Sequence, residues 1–550
     1  MIRFIAVFVV FFMLNVGMCQ DTIPSYWIAF TDKGNTNYDL SNPDQFLSER
    51  ALKRRITQNI LVDSTDLPVS KIYIDSVLNS GNLELWITSK WFNGIVVKSA
   101  DSLAMDSIFS YGFVDNINKV KCQKNNKVKK FDHLNEKDWI SVNVTPNYPF
   151  GFCFHQLSLH HADQLQSLGY LGENIHIAVL DAGFQMADQT NGLAHLYEDE
   201  RVLSTYDFVR KETSVYEDHY HGEAVLSIIA GRSDGEYRGS APMSSFHLLI
   251  TEDVFSESIV EEYYWVAAAE YADSAGVDII NTSLGYTVFD DSTQNHSYND
   301  MDGNTTPISR GANIASSKGI LCVNSAGNSG NSNWQFISSP GDADSTLTVG
   351  AVNFDGDRAS FSSKGPSSDG DVKPNVMSVG WDTYFIPPGS NNIITGNGTS
   401  FSAPMMTGMA ACLWEAFPNL TNMELIHLIE ESSHLYLTPD SLMGYGIPDF
   451  VKIYRNLSGL TIQEEDDSNI EDVYPNPFIN QINIFFRSSV DQELPLLIID
   501  QFGKKVFETK VQLNKGLNKV SLDKIAGMSA GCYFVKIGAS TKSIVKSGNF

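Results

Sequence analysis

Cysteine is scarce in this chain and follows no pattern of a structural framework. Six cysteines occur in 550 residues, and the first, Cys19, lies in an N-terminal segment that we expect to be removed. No CxxC or His–Cys spacing points to zinc. Small, buried apolar roles are therefore favoured over disulfides for the rest, most clearly for Cys322 in an apolar run and Cys412 in an Ala-rich helix. The remaining five are odd in number and scattered: Cys122, Cys153, Cys322, Cys412 and Cys532.

Positive charge is also in short supply. There are 38 Lys and Arg residues against 65 Asp and Glu, which gives a formal net charge of −27. Phosphates would be repelled by such a surface, so nucleic acid is not expected as a partner. A content of 43% apolar residues excludes a mainly disordered protein.

Long apolar runs are absent after the N-terminus. A single arginine precedes the apolar run from Phe4 to Leu14, and small Gly17 stands ahead of Cys19. The run is too short to cross a bilayer and is typical of a secretory signal peptide, residues 1–19. A lipoprotein beginning at Cys19 is the alternative, which the large Met18 before it disfavours. We expect an exported protein with no membrane span after signal removal.

The length suggests about three to four domains. Residues 21–120 alternate strand-like and helical runs, as in a small α+β domain. A lysine-rich linker occupies 121–150. From 151 to 458 strands and helices alternate, which predicts an α/β fold with a parallel sheet and helices on both faces. The expected helices lie at roughly 221–230, 256–275, 308–318, 400–416 and 422–431. In such sheets functional sites gather at the carboxyl ends of the strands.

The last part of the chain changes character after the acidic linker 459–472. Short strand-like runs with recurring turn residues fill 473–550, and helical spacing is absent there. This pattern predicts a small β-sandwich.

Four short motifs contain the parts needed for nucleophilic acyl transfer. Asp181 closes IHIAVLD, His221 opens HGEAVLSIIAG, Asn328 ends VNSAGN, and Ser400 lies within GNGTSFSAP. An acidic orienter, an imidazole base and a hydroxyl nucleophile in the order Asp, His, Ser resemble the subtilisin-like serine proteases, the subtilase family. The resemblance implies an Asp181–His221–Ser400 triad, with Asn328 as oxyanion donor.

Several neighbours of these residues are weaker candidates. His219 lacks the His-Gly-helix context, and Ser402 is the kind of serine that only caps a helix. Asn324 and Asn331 do not end the AGN string. Glu223 stands where the family usually has threonine; on a helix the i+2 position faces away from His221.

The helix after Ser400 is apolar nearly all round and is expected to be buried, with its N-terminus at the nucleophile. Pro404 is tolerated only in a first helical turn, which fits a helix expected over roughly 400–416.

Substrate contacts are expected in two further segments. NTSLG (281–285) resembles the family's substrate-binding strand, which supplies Ser283, Leu284 and Gly285. SSPGDAD (338–344) is expected to form another wall of the primary pocket, with Ser338 near its floor. No cofactor is required and no metal is assigned to the site. The Asp- and Asn-rich loop 287–305 offers the oxygen ligands that calcium needs, although a solvated loop is the simpler interpretation.

Two flanking segments carry resemblances as well. Residues 21–120 have the placement and size of a subtilase propeptide. The YPNP opening, the DQFGKKV turn (500–506) and the AGCYFVKI strand (530–537) resemble the sorting domain of type IX secretion cargo. A generic Ig-like accessory or carbohydrate-binding module is the alternative.

These features predict a secreted or surface-located serine endopeptidase that works through an acyl-enzyme. Its partners would be a protein or peptide substrate and the secretion machinery, and we expect a monomer. An α/β-hydrolase esterase is disfavoured because it needs GxSxG and the order Ser, Asp, His. The alternative from another class is an inactive, protease-like surface or binding protein.

Overall fold

The computed structural model describes residues 23–34, 36–121, 150–459 and most of 468–547, with gaps at 475, 477, 479–480, 515, 524 and 526–527. Residues 140–141 are described by their backbone. The predicted signal peptide, most of the basic linker and residues 460–467 of the acidic linker lie outside the described residues. The chain divides into two compact units, 1–454 and 455–550.

The first unit opens with a four-stranded antiparallel sheet of order β2-β3-β1-β4. Successive side chains of β1 point to opposite faces of this sheet. Ile28 packs with Ile95 against helices of the same segment, whereas Trp27 points the other way and stacks on Tyr263 at 4.7 Å between ring centroids. The elements are β1 (Ser25–Phe30), α1 (Glu49–Thr57), α2 (Lys71–Leu78), β2 (Glu84–Ser89), β3 (Gly94–Lys98), α3 (Ser102–Phe109) and β4 (Val114–Lys121).

A seven-stranded parallel sheet of order β14-β13-β12-β11-β6-β10-β7 forms the centre of this unit. Its inner strands are buried on both faces, as expected of a parallel sheet covered by helices. The strands are β6 (His176–Asp181), β7 (Val202–Asp207), β10 (Ser245–Ile250), β11 (Ile279–Thr282), β12 (Leu321–Ser325), β13 (Leu347–Val352) and β14 (Val376–Val379).

Helices cover both faces of the sheet, so the α/β fold class is confirmed. Helices α7 and α10 belong to the core on the side of Ile177 and Val179, and α8 and α9 to the core on the side of Ala178 and Leu180. The helices are α4 (Phe154–Ser158), α5 (Ala162–Ser167), α6 (Ala194–Glu198), α7 (His221–Ala230), α8 (Val260–Ala275), α9 (Pro307–Ser317), α10 (Thr399–Ala416), α11 (Asn422–Ser432) and α12 (Phe450–Ser458).

Chain order places a switch point at the middle of the sheet. Strand β6 comes first of the seven, and it lies between β10 on one side and β11 on the other. Ligands of open α/β sheets bind where the strand order reverses in this way, at the carboxyl ends. Smaller strands complete the unit: β5 (Ile140–Ser141), β8 (Arg232–Ser233), β9 (Tyr237–Arg238), β15 (Thr383–Phe385) and β16 (Ile394–Gly396).

The second unit consists of two antiparallel sheets around one apolar core, as a β-sandwich requires. Strand β18 alternates buried and half-buried residues along its whole length. The strands are β17 (Asn469–Tyr474), β18 (Ile482–Ser488), β19 (Gln492–Asp500), β20 (Lys505–Leu513), β21 (Gly516–Leu522), β22 (Gly531–Ile537) and β23 (Ser540–Lys546).

The cysteines in the described part of the chain carry free thiols. Cys153, Cys322 and Cys412 are buried and Cys532 is exposed; Cys19 and Cys122 lie outside the described residues. A search of the described helices for a bilayer-spanning segment finds none that is long and apolar enough.

Candidate active site

Asp181 and His221 form a short contact at the carboxyl edge of the parallel sheet. The distance from His221 Nδ1 to Asp181 Oδ1 is 2.6 Å, and both side chains are buried. Asp181 Oδ1 also accepts a hydrogen bond from the Ala182 backbone at 2.7 Å. An aspartate at the end of β6 can therefore fix the orientation of an imidazole at the start of α7.

Gly222 explains why the histidine is followed by glycine. A Cβ atom at this position would lie 2.6 Å from Gly183 O and 2.9 Å from Asp181 Cβ. Any side chain here would push the helix away from the strand end. The His-Gly pair thus allows the close approach of α7 to Asp181.

His219, the competing histidine, makes a different contact. Its Nδ1 accepts a hydrogen bond from the His221 backbone N–H at 3.2 Å. Its ring centroid lies 6.4 Å from that of His221 and stacks on Tyr220 at 4.6 Å. His219 therefore supports the start of α7, and His221 is the histidine that faces the carboxylate.

Ser400 is the second residue of α10, whose N-cap is Gly398. Its Oγ lies 3.4 Å from Ser283 O, and its carbonyl accepts a hydrogen bond from Ser283 Oγ at 3.0 Å. The helix begins at Thr399, next to the predicted start near residue 400, but Pro404 lies five residues after Thr399, so the expectation of a proline in the first turn is wrong. Because Pro404 has no N–H, the Ser400 carbonyl lacks its helical partner. The Ser283 hydroxyl takes that place.

Asn328 has its amide orientation fixed by Thr399. Asn328 Oδ1 accepts hydrogen bonds from Thr399 N at 2.9 Å and from Thr399 Oγ1 at 3.0 Å. A Cβ atom built on Gly398, whose φ is +154°, would lie 3.7 Å from both Asn328 Nδ2 and Ser400 N. The missing side chain leaves a space flanked by these two donors. Asn324, by contrast, is buried and donates to Pro340 O at 3.3 Å.

The segment after β11 brings the expected substrate residues together. Ser283 and Leu284 are buried, whereas Gly285 is exposed. A Cβ atom on Gly285 would lie 2.2 Å from Ser338 Oγ, so these two residues are direct neighbours. A backbone hydrogen bond from Tyr286 N to Ser339 O, 2.9 Å long, fixes the segment of the expected pocket wall that contains Ser338. The exposed backbone at Gly285 is therefore open to an extended peptide.

Glu223 is completely buried on the helix that begins at His221. Burial raises the pKa of its carboxyl well above the ordinary value. Among the described residues, neither carboxyl oxygen has a hydrogen-bond partner. Burial therefore favours the neutral carboxyl over the carboxylate.

The acidic residues of the loop 287–305 hold the loop's own backbone. Asp300 Oδ2 accepts from Ser297 N at 2.7 Å, and Asp302 Oδ1 from Thr305 N at 2.7 Å. Three exposed carboxylates outside this loop lie within 4.8 Å of one another in the described part of the chain, at Asp344, Asp369 and Asp371. The calcium interpretation of 287–305 stays a prediction.

Sequence reasoning missed the acidic residues of α8 that hold the N-terminal segment. Glu270 accepts hydrogen bonds from Lys90 N at 2.7 Å and Trp91 N at 3.0 Å. Asp273, three residues further, pairs with Arg54 at 2.5 Å. The available signal was two acids inside an otherwise Ala-rich helix, AAAEYADSA.

Comparisons with known proteins agree with this architecture. The subtilase family model matches residues 172–446, a peptidase S8 propeptide domain of Bacteroidota matches 25–135, and a secretion system C-terminal sorting domain matches 472–547.

Individual relatives are similar over the same region. The chain is 30% identical to subtilisin E of Bacillus subtilis strain 168 over 316 residues, which is 57% of this chain and 72% of that protein. It is 30% identical to a subtilisin of Bacillus pumilus over 290 residues, 52% of this chain and 93% of that protein. A crystal structure of MycP1 without its N-terminal propeptide aligns with a TM-score of 0.42 and 22% identity, over 54% of this chain and 96% of that one.

The sorting domain indicates export by the type IX route to the cell surface or the medium. The chain belongs to the subtilase family and is a secreted, subtilisin-like serine peptidase with a propeptide and a C-terminal sorting domain.

Proposed function

We propose that this protein is an endopeptidase whose catalytic residues are Asp181, His221, Ser400 and Asn328. The observation that carries the proposal is the 2.6 Å contact between His221 Nδ1 and Asp181 Oδ1 at the switch point of the sheet. The nucleophile's helix, α10, packs directly against α7, which carries the base. Asp181, His221 and Ser400 therefore lie on three elements that pack in the same hydrophobic core.

The reaction proceeds through an acyl-enzyme. The Ser400 hydroxyl proton passes to His221 Nε2 as Oγ attacks the peptide carbonyl carbon. Asp181 holds the imidazole in the tautomer that makes Nε2 an acceptor and stabilises the imidazolium. The imidazolium then gives the proton to the leaving amine, and the C–N bond breaks. Water then attacks the ester carbonyl with His221 as base, and the carboxylic acid product leaves as Ser400 regains its proton.

The tetrahedral oxygen is held by two N–H donors. Asn328 Nδ2 and the Ser400 backbone N–H flank the space that Gly398 leaves open. The amide cannot turn its oxygen to the substrate without losing both bonds from Thr399. Donors fixed in advance stabilise the developing charge without reorganisation.

Substrate lies along Ser283, Leu284 and Gly285 as an added antiparallel strand. The nearness of Ser400 Oγ to Ser283 O puts the residue before the scissile bond beside Ser283. Its side chain enters the pocket bordered by Ser338.

We further propose the domain boundaries 21–120 for the propeptide, 151–458 for the catalytic domain and 473–550 for the sorting domain. The connecting segments 121–150 and 459–472 are linkers. Maturation by cleavage in the first linker is expected to give an active enzyme whose N-terminus falls between residues 120 and 150.

The proposal is tested by a matched pair of serine variants on α10. Ser400→Ala is expected to abolish casein hydrolysis. Ser402→Ala, which removes a buried hydroxyl two residues away, is expected to retain it. Casein turnover by Ser400→Ala at the wild-type rate would refute the proposal. Absence of casein turnover by the wild-type enzyme would favour a surface or binding role.

A further inference from the structure

An acid-rich segment borders the proposed substrate strand. Residues 251–262, TEDVFSESIVEE, contain five acids and no Lys or Arg. The segment follows β10, and Thr251 N donates to Asp181 O at 3.1 Å. Glu252 Oε2 accepts a hydrogen bond at 2.5 Å from the hydroxyl of Tyr286, the residue after Gly285. This segment therefore begins beside the triad and runs along the end of the substrate strand.

Four of these acids and one from the following loop form an acidic cluster, which we define as Glu252, Asp253, Glu257, Glu261 and Asp290. Glu261 Oε2 accepts from Asp253 N at 3.2 Å, and Asp290 Oδ2 accepts from Glu257 N at 3.2 Å. Burial, together with repulsion from Glu261 and Asp290, raises the pKa of Glu257 well above its ordinary value. Ionising carboxylates that lie this close together is electrostatically unfavourable unless a cation compensates their charge.

A cation of this chain already occupies the cluster. Lys121 Nζ lies 2.9 Å from Asp253 Oδ2, with only 14% and 18% of the two side chains exposed. Burial works to raise the pKa of Asp253, but the Lys121 ammonium and the Ser256 hydroxyl hold it at about 2. Two residues earlier, Gln294 Nε2 donates to Lys119 O at 2.8 Å. The cluster thus binds the side chain of this basic segment, and Gln294 beside it binds the backbone.

The bound segment is the start of the lysine-rich stretch KVKCQKNNKVKK. Residues 119–130 contain six lysines and no acid. Lys121 is the last residue of β4, so the chain that continues from the cluster lies N-terminal to any bond cut in the linker. The cluster therefore faces residues upstream of a scissile bond.

The spacing along the proposed substrate strand indicates which substrate residues lie beside the acidic cluster. Ser283 marks the residue before the scissile bond, and Tyr286 is three residues further. An extended chain rises about 3.3 Å per residue, so Tyr286 and Glu252 lie roughly 10 Å upstream, level with the third or fourth substrate residue before the bond.

We propose that the acidic cluster is a specificity determinant that selects peptides with Lys or Arg at roughly the third and fourth residues before the scissile bond. The inference rests on the proposed endopeptidase function. It makes the chain's own lysine-rich linker a matched substrate for maturation.

The test uses mature enzyme and three internally quenched peptides that differ only at the third and fourth positions before the bond, with Lys-Lys, Ala-Ala or Glu-Glu. Lys-Lys is expected to exceed Glu-Glu in kcat/KM by about tenfold or more, with the ratio falling at about 0.5 M NaCl because salt screens exposed charge. This salt series needs no variant.

Variants then assign the effect to the cluster. Asp253→Asn and Glu257→Gln are expected to bring the Lys-to-Glu ratio toward one. Asp355→Asn removes one exposed charge outside the cluster and is expected to leave the ratio unchanged. Because Asp253 also accepts from Phe255 N, Glu257→Gln provides the second, less invasive variant.

The outcomes separate the two proposals. Equal cleavage of all three peptides would overturn the specificity inference and leave the protease function intact. If no peptide and no casein were cleaved, the proposed function would fail. Fluorescence anisotropy with the same peptides would then decide the inference, and equal binding of the Lys-Lys and Glu-Glu peptides would overturn it.

Discussion

At the scale of single residues, the site depends on groups that are locked in one orientation. Asp181 is held by the Ala182 backbone, and Asn328 by two bonds to Thr399. In both cases the hydrogen bonds come from a residue at the end of a strand or at the start of a helix. The chemistry then follows from side chains that have little freedom to misalign.

Asn328 is expected to contribute to the transition state and little to substrate binding. Asn328→Ala should lower kcat by about 10²–10³, a range carried over from subtilisin, with KM nearly unchanged. The same substitution at Asn331, an exposed neighbour, serves as control. A higher KM with unchanged kcat would contradict the role of Asn328 in stabilising the transition state.

Glu223 is expected to make stability fall with rising pH. Its folded-state pKa lies well above 4.5, the value expected when unfolded. The neutral carboxyl is therefore fully stabilising below pH 4.5, and this stability is lost as the pH rises toward the folded-state pKa.

Glu223→Gln removes this ionisation while keeping the shape. The variant should unfold at a higher temperature than the parent at pH 8, by about 2–4 °C for each kcal/mol regained. The difference should vanish near pH 4. Thermal unfolding across this range checks it, and parallel curves for the two proteins would contradict the assignment.

At the scale of elements, the start of α10 connects the proposed nucleophile to the proposed substrate strand. Pro404 leaves the Ser400 carbonyl free, and Ser283 Oγ donates to it at 3.0 Å. The helix that carries Ser400, the proposed nucleophile, is thereby hydrogen-bonded to the segment expected to bind substrate.

Ser283→Ala should leave this buried carbonyl without a donor and lower the free energy of unfolding by about 1–3 kcal/mol. Adding Pro404→Ala restores an N–H in the helix and should recover part of the loss. Urea unfolding of the single and double variants measures this. A double variant less stable than the sum of its parts would argue against the compensation.

Much of the element pattern could be predicted from sequence because its periodicity is strong. Helices near 221–230 and 422–431 occur at His221–Ala230 and Asn422–Ser432. Strand β7, VLSTYD, escaped prediction because an edge strand with half-exposed polar residues lacks an apolar run. The helix predicted near 400–416 occurs at Thr399–Ala416, but Pro404 lies beyond its first turn. The contact that compensates for this proline could not be predicted, because it comes from Ser283, 117 positions before Ser400.

At the scale of the whole molecule, charged residues far apart in sequence join the N-terminal segment to the parallel-sheet core. Arg54 and Asp273 are 219 positions apart and are both buried. Arg55 and Lys90 contact the same carboxylate at 2.9 and 3.2 Å. No local pattern marks such pairs, so the sequence predicted a propeptide by placement but not how it is held.

Arg54→Ala is expected to destabilise the uncleaved protein by about 3 kcal/mol, the lower end for a broken buried pair, because Arg55 and Lys90 still compensate Asp273. Urea unfolding of the Ser400→Ala background measures it. Lys71→Ala, which removes an exposed pair with Asp75, should cost less than about 1 kcal/mol. Equal effects of the two variants would contradict a special role for the buried cluster.

The central claim is that Ser400 is a nucleophile activated by His221. The most direct measurement is to treat mature enzyme with a fluorophosphonate and locate the adduct by peptide mass spectrometry. The account predicts one adduct, on Ser400, that disappears when His221→Ala is treated in the same way. An adduct on another residue, or labelling of Ser400 that does not depend on His221, would contradict it.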